Sequence, residues 1–292
     1  LPRIRAFSHS SVIGTQFPHA AGIAFELRRT GKPGVVLVTG GEGSTSQGDL
    51  HEALNFTALH RLPVIFLIQN NQYAISVPAS QAIAGDLAER ARGYGMAAES
   101  IDGNRILEVY GAVSRAAERG RAGEGPTFLE ARTYRYYAHT SDDDDRLYRS
   151  AEEVAEWRRR DPIAHLRQYL VESRLLTEAD EEAVEEDATA VVGEAVAAAD
   201  AAPDPVDALG GVYARTLRNL QPAEALEAAP AGPEANLVTA INKALHEIMA
   251  DHPEALVFGE DVADPKGGVF KATVGLTDAF GPQRCFNTPL AE

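Results

Sequence analysis

A chain of 292 residues, 45% apolar and 24% charged, is long enough to bury one large core or two smaller ones. Its 43 acidic residues against 27 Lys and Arg give a formal charge of −16, which leaves no overall field to draw nucleic acid or an anionic membrane surface. One cysteine, Cys285, excludes an internal disulfide and a cysteine-cluster metal site, and no apolar run approaches the ~20 residues that span a bilayer. These features predict a soluble protein of a reducing compartment, the cytoplasm. The chain opens on Leu1 with no visible signal peptide and stops at Glu292, and is read as an internal piece of something longer.

In chain order, residues 35–39 read as a buried strand followed by the turn Gly40-Gly41-Glu42-Gly43. Leu50, Ala53, Leu54 and Ala58 then recur at helical spacing. Residues 64–69 form a second apolar run ending at Asn70-Asn71; 86–94 read as helix, 97–101 as strand, 106–119 as helix and 127–133 as strand. Strands alternating with helices predict an α/β fold, a parallel sheet with helices on both faces, which binds ligands at the carboxyl ends of its strands. The polar clusters at 40–48 and 69–73 fall at such ends. Beyond about Arg149 the chain turns helical and charged, with helices over 151–160 and 162–173 and one exposed Ala/Glu-rich helix over 177–200. The Ala/Pro/Glu-rich stretch 221–234 has no periodicity and reads as a linker. An amphipathic helix then starts at Asn236, its apolar stripe formed by Leu237, Ala240, Ile241, Ala244, Leu245, Ile248 and Met249. A strand over 255–259 and a turn at Gly267-Gly268 follow, as at the opening of a second α/β domain.

Three constellations carry chemistry. The first is Gly41-Glu42-Gly43-Ser44 with Asn71 and Tyr73 downstream. A strand, glycine turn and helix start offer N–H groups to an anion, yet Glu42 would repel a diphosphate unless a cation lay between them. Glu42 and the Asn71 side-chain oxygen are hard ligands suited to Mg²⁺. A dinucleotide fold of the Gly-x-Gly-x-x-Gly kind fails, because Ser46 stands at the third glycine and the second strand ends in Gln69-Asn70-Asn71 rather than in an acid. On pattern alone a surface turn beside an unrelated Asn pair stays open.

The segment GEGSTSQGDLHEALNFTALHRLPVIFLIQNNQYAIS resembles the cofactor motif of thiamine-diphosphate enzymes, and throughout its length the alpha part of 2-oxo-acid dehydrogenase E1 components. That resemblance implies a thiamine-diphosphate-binding fold, with Mg²⁺ held by Glu42, Asn71 and the Tyr73 main chain, and with Gly41, Gly43 and Ser44 along the diphosphate. Glu42 replaces the commoner Asp, as in the branched-chain members, and Gln69 stands where some relatives carry a phosphate-binding Arg. Upstream, Ser10-Ser11-Val12-Ile13-Gly14-Thr15-Gln16 is similar to the family's loop beneath the cofactor. The resemblance puts Ser11 and Ile13 against the cofactor, and Ser10, Thr15 and Gln16 on a potassium site known in branched-chain members.

The second constellation runs from Tyr134-Arg135-Tyr136-Tyr137-Ala138-His139 through Asp145 to Tyr148-Arg149-Ser150. A histidine opening an acidic, hydroxyl-rich loop beyond a strand end is placed for proton transfer. The segment resembles the family's active-site loop, which makes His139 the residue touching cofactor and substrate. Ala138 departs from the usual second histidine, and Thr140 matches the site phosphorylated in mitochondrial relatives. The third constellation, Glu260-Asp261 with Asn287-Thr288-Pro289-Leu290-Ala291-Glu292, is similar to the start of the beta part of the same enzymes. There Glu292 would share a proton with the cofactor's aminopyrimidine ring, favouring the thiamine diphosphate ylid that decarboxylates a 2-oxo acid. The acyl group then passes to a lipoyl arm on an E2 partner.

The resemblance divides the chain into an alpha-type domain over 1–220, a linker over 221–235 and the start of a beta-type, pyrimidine-binding domain over 236–292. It implies a homodimer at full length, an inactive isolated piece, and a cytoplasmic (in a eukaryote, mitochondrial-matrix) setting. Three readings stand: an E1 enzyme acting on branched-chain 2-oxo acids, the same chemistry on pyruvate or acetoin, or a non-catalytic relative that keeps the fold. Glu42, Asn71, His139 and Glu292 are all present, which weighs against the third.

Overall fold

The computed structural model describes residues 6–7, 10–203, 235–259, 261–268 and 270–288. They fall into two compact units, Leu1–Leu176 and Thr177–Glu292.

The first unit is built on strands β1 (Val36–Gly41), β2 (Val64–Asn70), β5 (Ala97–Asp102) and β6 (Thr127–Arg132), in the order β1-β2-β6-β5 and all parallel. Side chains on each strand alternate between two apolar layers. Val64, Phe66 and Ile68 join Val38 and Phe128 beneath helices α1 (Gln16–Arg29), α2 (Gly48–Leu59) and α4 (Leu87–Arg92). Ile65 and Leu67 join Ile101, Leu129 and Ala131 beneath α5 (Ile106–Arg121). Covering both faces explains why β2 reads as an unbroken apolar run. Phe17 and Phe66, both wholly buried, meet with ring centroids 6.2 Å apart and tie α1 to the sheet.

Past β2 the chain turns through Gln72 (φ 74°) into a short hairpin, β3 (Tyr73–Ala74) with β4 (Val77–Pro78), that the sequence did not announce, and then into α3 (Ala79–Ala82). Asp86 caps α4 by accepting the Glu89 N–H at 2.9 Å, and Ser150 and Asp161 cap α6 (Ala151–Arg158) and α7 (Pro162–Glu172) in the same way.

The second unit contains α8 (Glu178–Asp200), exposed along nearly its whole length, as its Ala/Glu composition predicts. Its Thr177–Asp180 capping box fixes the start. Further on, α9 (Leu237–Asp251), β7 (Val257–Gly259), α10 (Leu276–Phe280) and β8 (Cys285–Asn287) enclose a small core of Met249, Leu276 and Cys285, with β7 and β8 parallel. The predicted helix start at Asn236 is observed as its N-cap, but the apolar stripe is out of phase. Leu245 and Met249 pack inward together with Asn242 and His246, whereas Leu237, Ala240, Ile241, Ala244 and Ile248 are exposed. Polar side chains can face inward here because Asn242 donates to the Ala272 and Val274 carbonyls at 3.1 and 2.9 Å. Gly267 and Gly268 have φ of 65° and 79°, and a Cβ on Gly267 would lie 2.5 Å from the Val274 Cα, so this turn requires glycine. The expected linker, apart from residue 235, lies outside the described residues. Among the described residues no helix is long and apolar enough to cross a membrane.

Candidate active site

Strands β1 and β2 run in register with Gly41 opposite Gln69, so their carboxyl ends deliver two polar segments to one place. Glu42, 1% exposed, opens a short 3-10 helix (Glu42–Ser46) and accepts the Asn71 N–H on its Oε2 at 3.0 Å. Two residues separated by 29 positions therefore meet, as their places at strand ends predict. A buried carboxylate costs several kcal/mol unless a cation or several donors compensate it. Among the described residues no basic side chain pairs with Glu42. Nor do three His, Cys, Asp or Glu side chains cluster there as a metal site. One hard carboxylate beside the Asn71 amide oxygen and main-chain carbonyls suits Mg²⁺, which keeps open positions for phosphate oxygens and water.

The glycines of the turn divide their work. A Cβ on Gly40 would lie 2.7 Å from Ser44 Oγ and 2.8 Å from Phe17 Cζ, and one on Gly43 would lie 2.9 Å from Ala74 Cβ. Packing alone requires those two. A Cβ on Gly41 meets nothing within 4 Å, which leaves its surface free for a ligand. The Ser44 hydroxyl turns inward and donates to the Gly41 carbonyl at 2.6 Å, while Thr45 Oγ1 donates to the Glu42 carbonyl at 2.7 Å. Asn71 Oδ1 accepts the Tyr73 N–H at 3.2 Å. The Tyr73 carbonyl, expected to reach a metal, accepts from Arg135 Nη1 at 3.3 Å.

The loop before α1 packs against this end of β1. Gln16 Nε2 donates to the Thr39 carbonyl at 3.3 Å, and Gly14 (φ 97°) lies so close that a Cβ would be 2.9 Å from Gln47 Cβ. Ser11 is exposed, and Ile13 is 58% exposed despite being apolar. Ser10 Oγ accepts the Val12 N–H and Thr15 Oγ1 donates to the Val12 carbonyl, each at 3.0 Å.

On the other side, the chain leaving β6 stays paired with the same turn. The Thr133 and Arg135 N–H groups donate to the Asn70 and Asn71 carbonyls at 2.8 and 3.2 Å. Arg135 also reaches the Ile75 carbonyl and the Tyr148 hydroxyl, both at 2.7 Å. Tyr148 donates to Asp143 Oδ2 at 2.5 Å, and the same oxygen accepts the His139 N–H at 2.8 Å. The His139 loop is thus tethered, through Asp143, Tyr148 and Arg135, to the turn that carries Asn71 and Tyr73. The His139 side chain itself is exposed.

Behind the loop, the buried Arg149 pairs with Asp145 at 2.5 Å, donates to the Arg135 carbonyl, and lies 5.7 and 5.4 Å from the Tyr73 and Tyr134 ring centroids. Glu153 accepts from the Tyr73 and Tyr134 hydroxyls at 3.0 Å. Burial, reinforced by Glu153, pushes the Tyr134 phenol up to about 12, and the Tyr73 phenol upward for the same reasons. Both tyrosines therefore remain neutral donors. Sequence reading quoted Arg135, Tyr148 and Arg149 without assigning them work, and it missed Glu153. Alternating Tyr and Arg on both sides of an acidic loop was the available signal. Arg149→Met is expected to lower stability by about 1–3 kcal/mol, because it leaves the part-buried Asp145 carboxylate and Arg135 carbonyl unpaired. It should also speed proteolytic cleavage within 139–148, and unchanged cleavage would show that the tether does not order the loop.

Glu260 and Glu292, the expected acids of the second unit, lie outside the described residues.

The model of the dehydrogenase E1 component family matches residues 2–207, and that of the transketolase pyrimidine-binding domain matches residues 234–292. The chain is 47% identical over 214 residues to the 2-oxoisovalerate dehydrogenase subunit alpha of Bacillus subtilis, covering 72% of this chain and 65% of that one. It is 47% identical over 173 residues to the 3-methyl-2-oxobutanoate dehydrogenase subunit alpha of Mycobacterium tuberculosis, covering 59% of this chain and 47% of that one. With the pyruvate dehydrogenase E1 component subunit alpha of Staphylococcus aureus it shares 43% identity over 199 residues, 68% of this chain and 54% of that one. A solved structure from Mycobacterium smegmatis, described as a thiamin diphosphate-dependent enzyme, is 30% identical with a TM-score of 0.37, covering 43% of this chain and 23% of that one. The chain thus spans 47% to 65% of the lengths of these curated relatives. With a family model matched across residues 2–207, this chain belongs to the dehydrogenase E1 component family.

Proposed function

We propose that the full-length protein is the E1 component of a branched-chain 2-oxo-acid dehydrogenase, using thiamine diphosphate and Mg²⁺ and passing its acyl product to the lipoyl group of an E2 partner. The observation that carries the reading is Glu42, a buried carboxylate without a cationic partner among the described residues, held against the Asn71 N–H where two parallel strands end. Glu42, the Asn71 side chain and the Tyr73 carbonyl would hold the metal, the carbonyl through the lone pair that does not face Arg135. Gly41, Gly43 and Ser44 would border the diphosphate, with Ser11 and the exposed Ile13 beneath the cofactor's rings. When bound, thiamine diphosphate supplies the electron sink that lets a 2-oxo acid lose CO₂. His139 would hold and transfer a proton at the substrate's 2-oxo oxygen. Glu292 would share a proton with the pyrimidine ring.

In this reading an alpha-type domain over 1–220 is joined through 221–235 to a beta-type domain that starts at 236, and two full-length chains form a homodimer in the cytoplasm. K⁺ at Ser10, Thr15 and Gln16 is a further expectation, tested by the K⁺ dependence of thermal stability. Glu42 in place of Asp, together with the names of two of the relatives above, favours the branched substrate. Pyruvate or acetoin, with the same mechanism, is the second reading, favoured by the Staphylococcus aureus relative. The test is turnover by the full-length protein, with Mg²⁺, thiamine diphosphate and an artificial electron acceptor. Preference for 3-methyl-2-oxobutanoate supports the branched reading, whereas preference for pyruvate or acetoin overturns the substrate alone. No turnover and no cofactor binding would overturn the enzyme reading in favour of a non-catalytic relative.

A further inference from the structure

The inner strand β6 carries an ionisable side chain that packing does not call for. Its neighbours Phe128, Leu129 and Ala131 are buried and apolar, yet Glu130 between them is 3% exposed. Burying a carboxylate carries a desolvation cost, and a leucine of similar size would fill the same space. Glu130 stands in register between Ile68 of β2 and Ser100 of β5. Three donors compensate it. Oε1 accepts from Asn70 Nδ2 at 2.7 Å, and Oε2 accepts from Ser100 Oγ at 2.5 Å and Arg132 Nε at 3.3 Å.

The bond to Asn70 has a consequence beyond the strand. With its NH₂ directed at Glu130, Asn70 must present Oδ1 to Gln72, where it accepts the main-chain N–H at 3.1 Å and Nε2 at 3.2 Å. Gln72 Nε2 also donates to the Asn70 carbonyl at 3.1 Å. These bonds hold Gln72 at φ 74°, a left-handed conformation unfavourable for a residue with a Cβ. That turn brings the Asn71 N–H onto Glu42 and sets Asn71 Oδ1 on the Tyr73 N–H.

We infer that Glu130 is a positioning residue for the cation site, acting through Asn70 and Gln72 to hold the Asn71–Tyr73 turn in its ligand-presenting form. The inference rests on the proposed role of Glu42 and Asn71 as Mg²⁺ ligands. The test is calorimetric titration of Mg²⁺ into the full-length protein with thiamine diphosphate, alongside thermal melts without cofactor. Outer partners of metal ligands set affinity by about 10–100-fold, and that is the expected rise in half-saturating Mg²⁺ for Glu130→Ala. Glu130→Gln keeps an oxygen for Asn70 and gains a donor for Ser100, so it should stay within about 3-fold of wild type. Glu130→Leu separates positioning from stability. It fills the volume that Glu130→Ala vacates but leaves Asn70 Nδ2 without its acceptor, so it should melt above the alanine variant and still show that variant's Mg²⁺ defect. Wild-type Mg²⁺ dependence in Glu130→Leu overturns the inference, as does a defect in Glu130→Gln equal to that of Glu130→Ala. Absence of Mg²⁺-dependent cofactor binding in the wild type itself would instead remove the reading beneath it.

Discussion

Glu42→Gln is expected to abolish Mg²⁺-dependent cofactor binding, weakening it at least about 100-fold, while leaving the cofactor-free protein as stable as wild type or more so. The two effects have opposite signs because the same charge serves opposite ends. Without a cation, a carboxylate at 1% exposure with one main-chain donor is under-compensated, and neutralising it relieves a desolvation cost. With a cation, the charge is the strongest hard ligand at the strand ends, and an amide oxygen cannot replace it. Glu42→Asp keeps the charge but withdraws it by one methylene from the Asn71 N–H, so it should fall between the two. The measurement is a pair of melts for each protein, with and without Mg²⁺ and thiamine diphosphate. Ligand that binds only the folded state raises the midpoint, so the wild type should shift and Glu42→Gln should not. A glutamine variant that shifts like wild type would falsify the assignment of Glu42 to the metal.

The sheet was legible in the sequence because its burial is symmetrical. Residues packed on both faces write themselves as uninterrupted runs such as Val64-Ile65-Phe66-Leu67-Ile68, and the helices between them show their own period. The strand ends were less legible: β1 continues through Gly40 and Gly41 because those glycines stay paired with Ile68 and Gln69. In α9 periodicity identified a helix but assigned its phase wrongly, since inward-facing Asn242 and His246 count as polar in any pattern. Within the site, Glu42 and Asn71 could be paired from their places after two strands. The partnership of Glu130 with Asn70 could not. It joins residues 60 positions apart, and it depends on the register of β2 against β6, which leaves no periodic trace. Arg149 is hidden for a different reason, because a buried arginine contradicts the ordinary behaviour of its type and is accounted for by Asp145, the Arg135 carbonyl and the Tyr73 and Tyr134 rings.

His139→Ala is expected to lower kcat by about 10²–10⁴ while loop order stays near wild type. The structure separates these effects, because Asp143 holds the His139 main-chain N–H and the exposed imidazole forms no part of the tether. Loss of the side chain therefore removes a proton carrier without releasing the loop. Glu- or amide-like hydrogen bonding should not substitute for it: His139→Gln keeps a polar group of similar reach but carries no exchangeable acid proton at neutral pH, so its kcat should stay low. Recovery in the glutamine variant would mean that hydrogen bonding alone suffices and would sink the proton-transfer role. Asp143→Asn is the complementary control, since it weakens the tether and should raise cleavage of the loop as well as lower kcat. The Tyr148 hydroxyl and the His139 N–H hold the Asp143 carboxyl below its ordinary range. A depressed carboxylate contributes its stabilisation above its unfolded value, about 3.9, and loses it only as pH falls through the lower folded value. Between about pH 5 and 8 the tether is therefore constant, and any change of kcat across that window must come from groups other than Asp143. Lowered kcat in His139→Ala, with loop cleavage unaltered, is the result that assigns the loss to the imidazole rather than to the loop's anchorage.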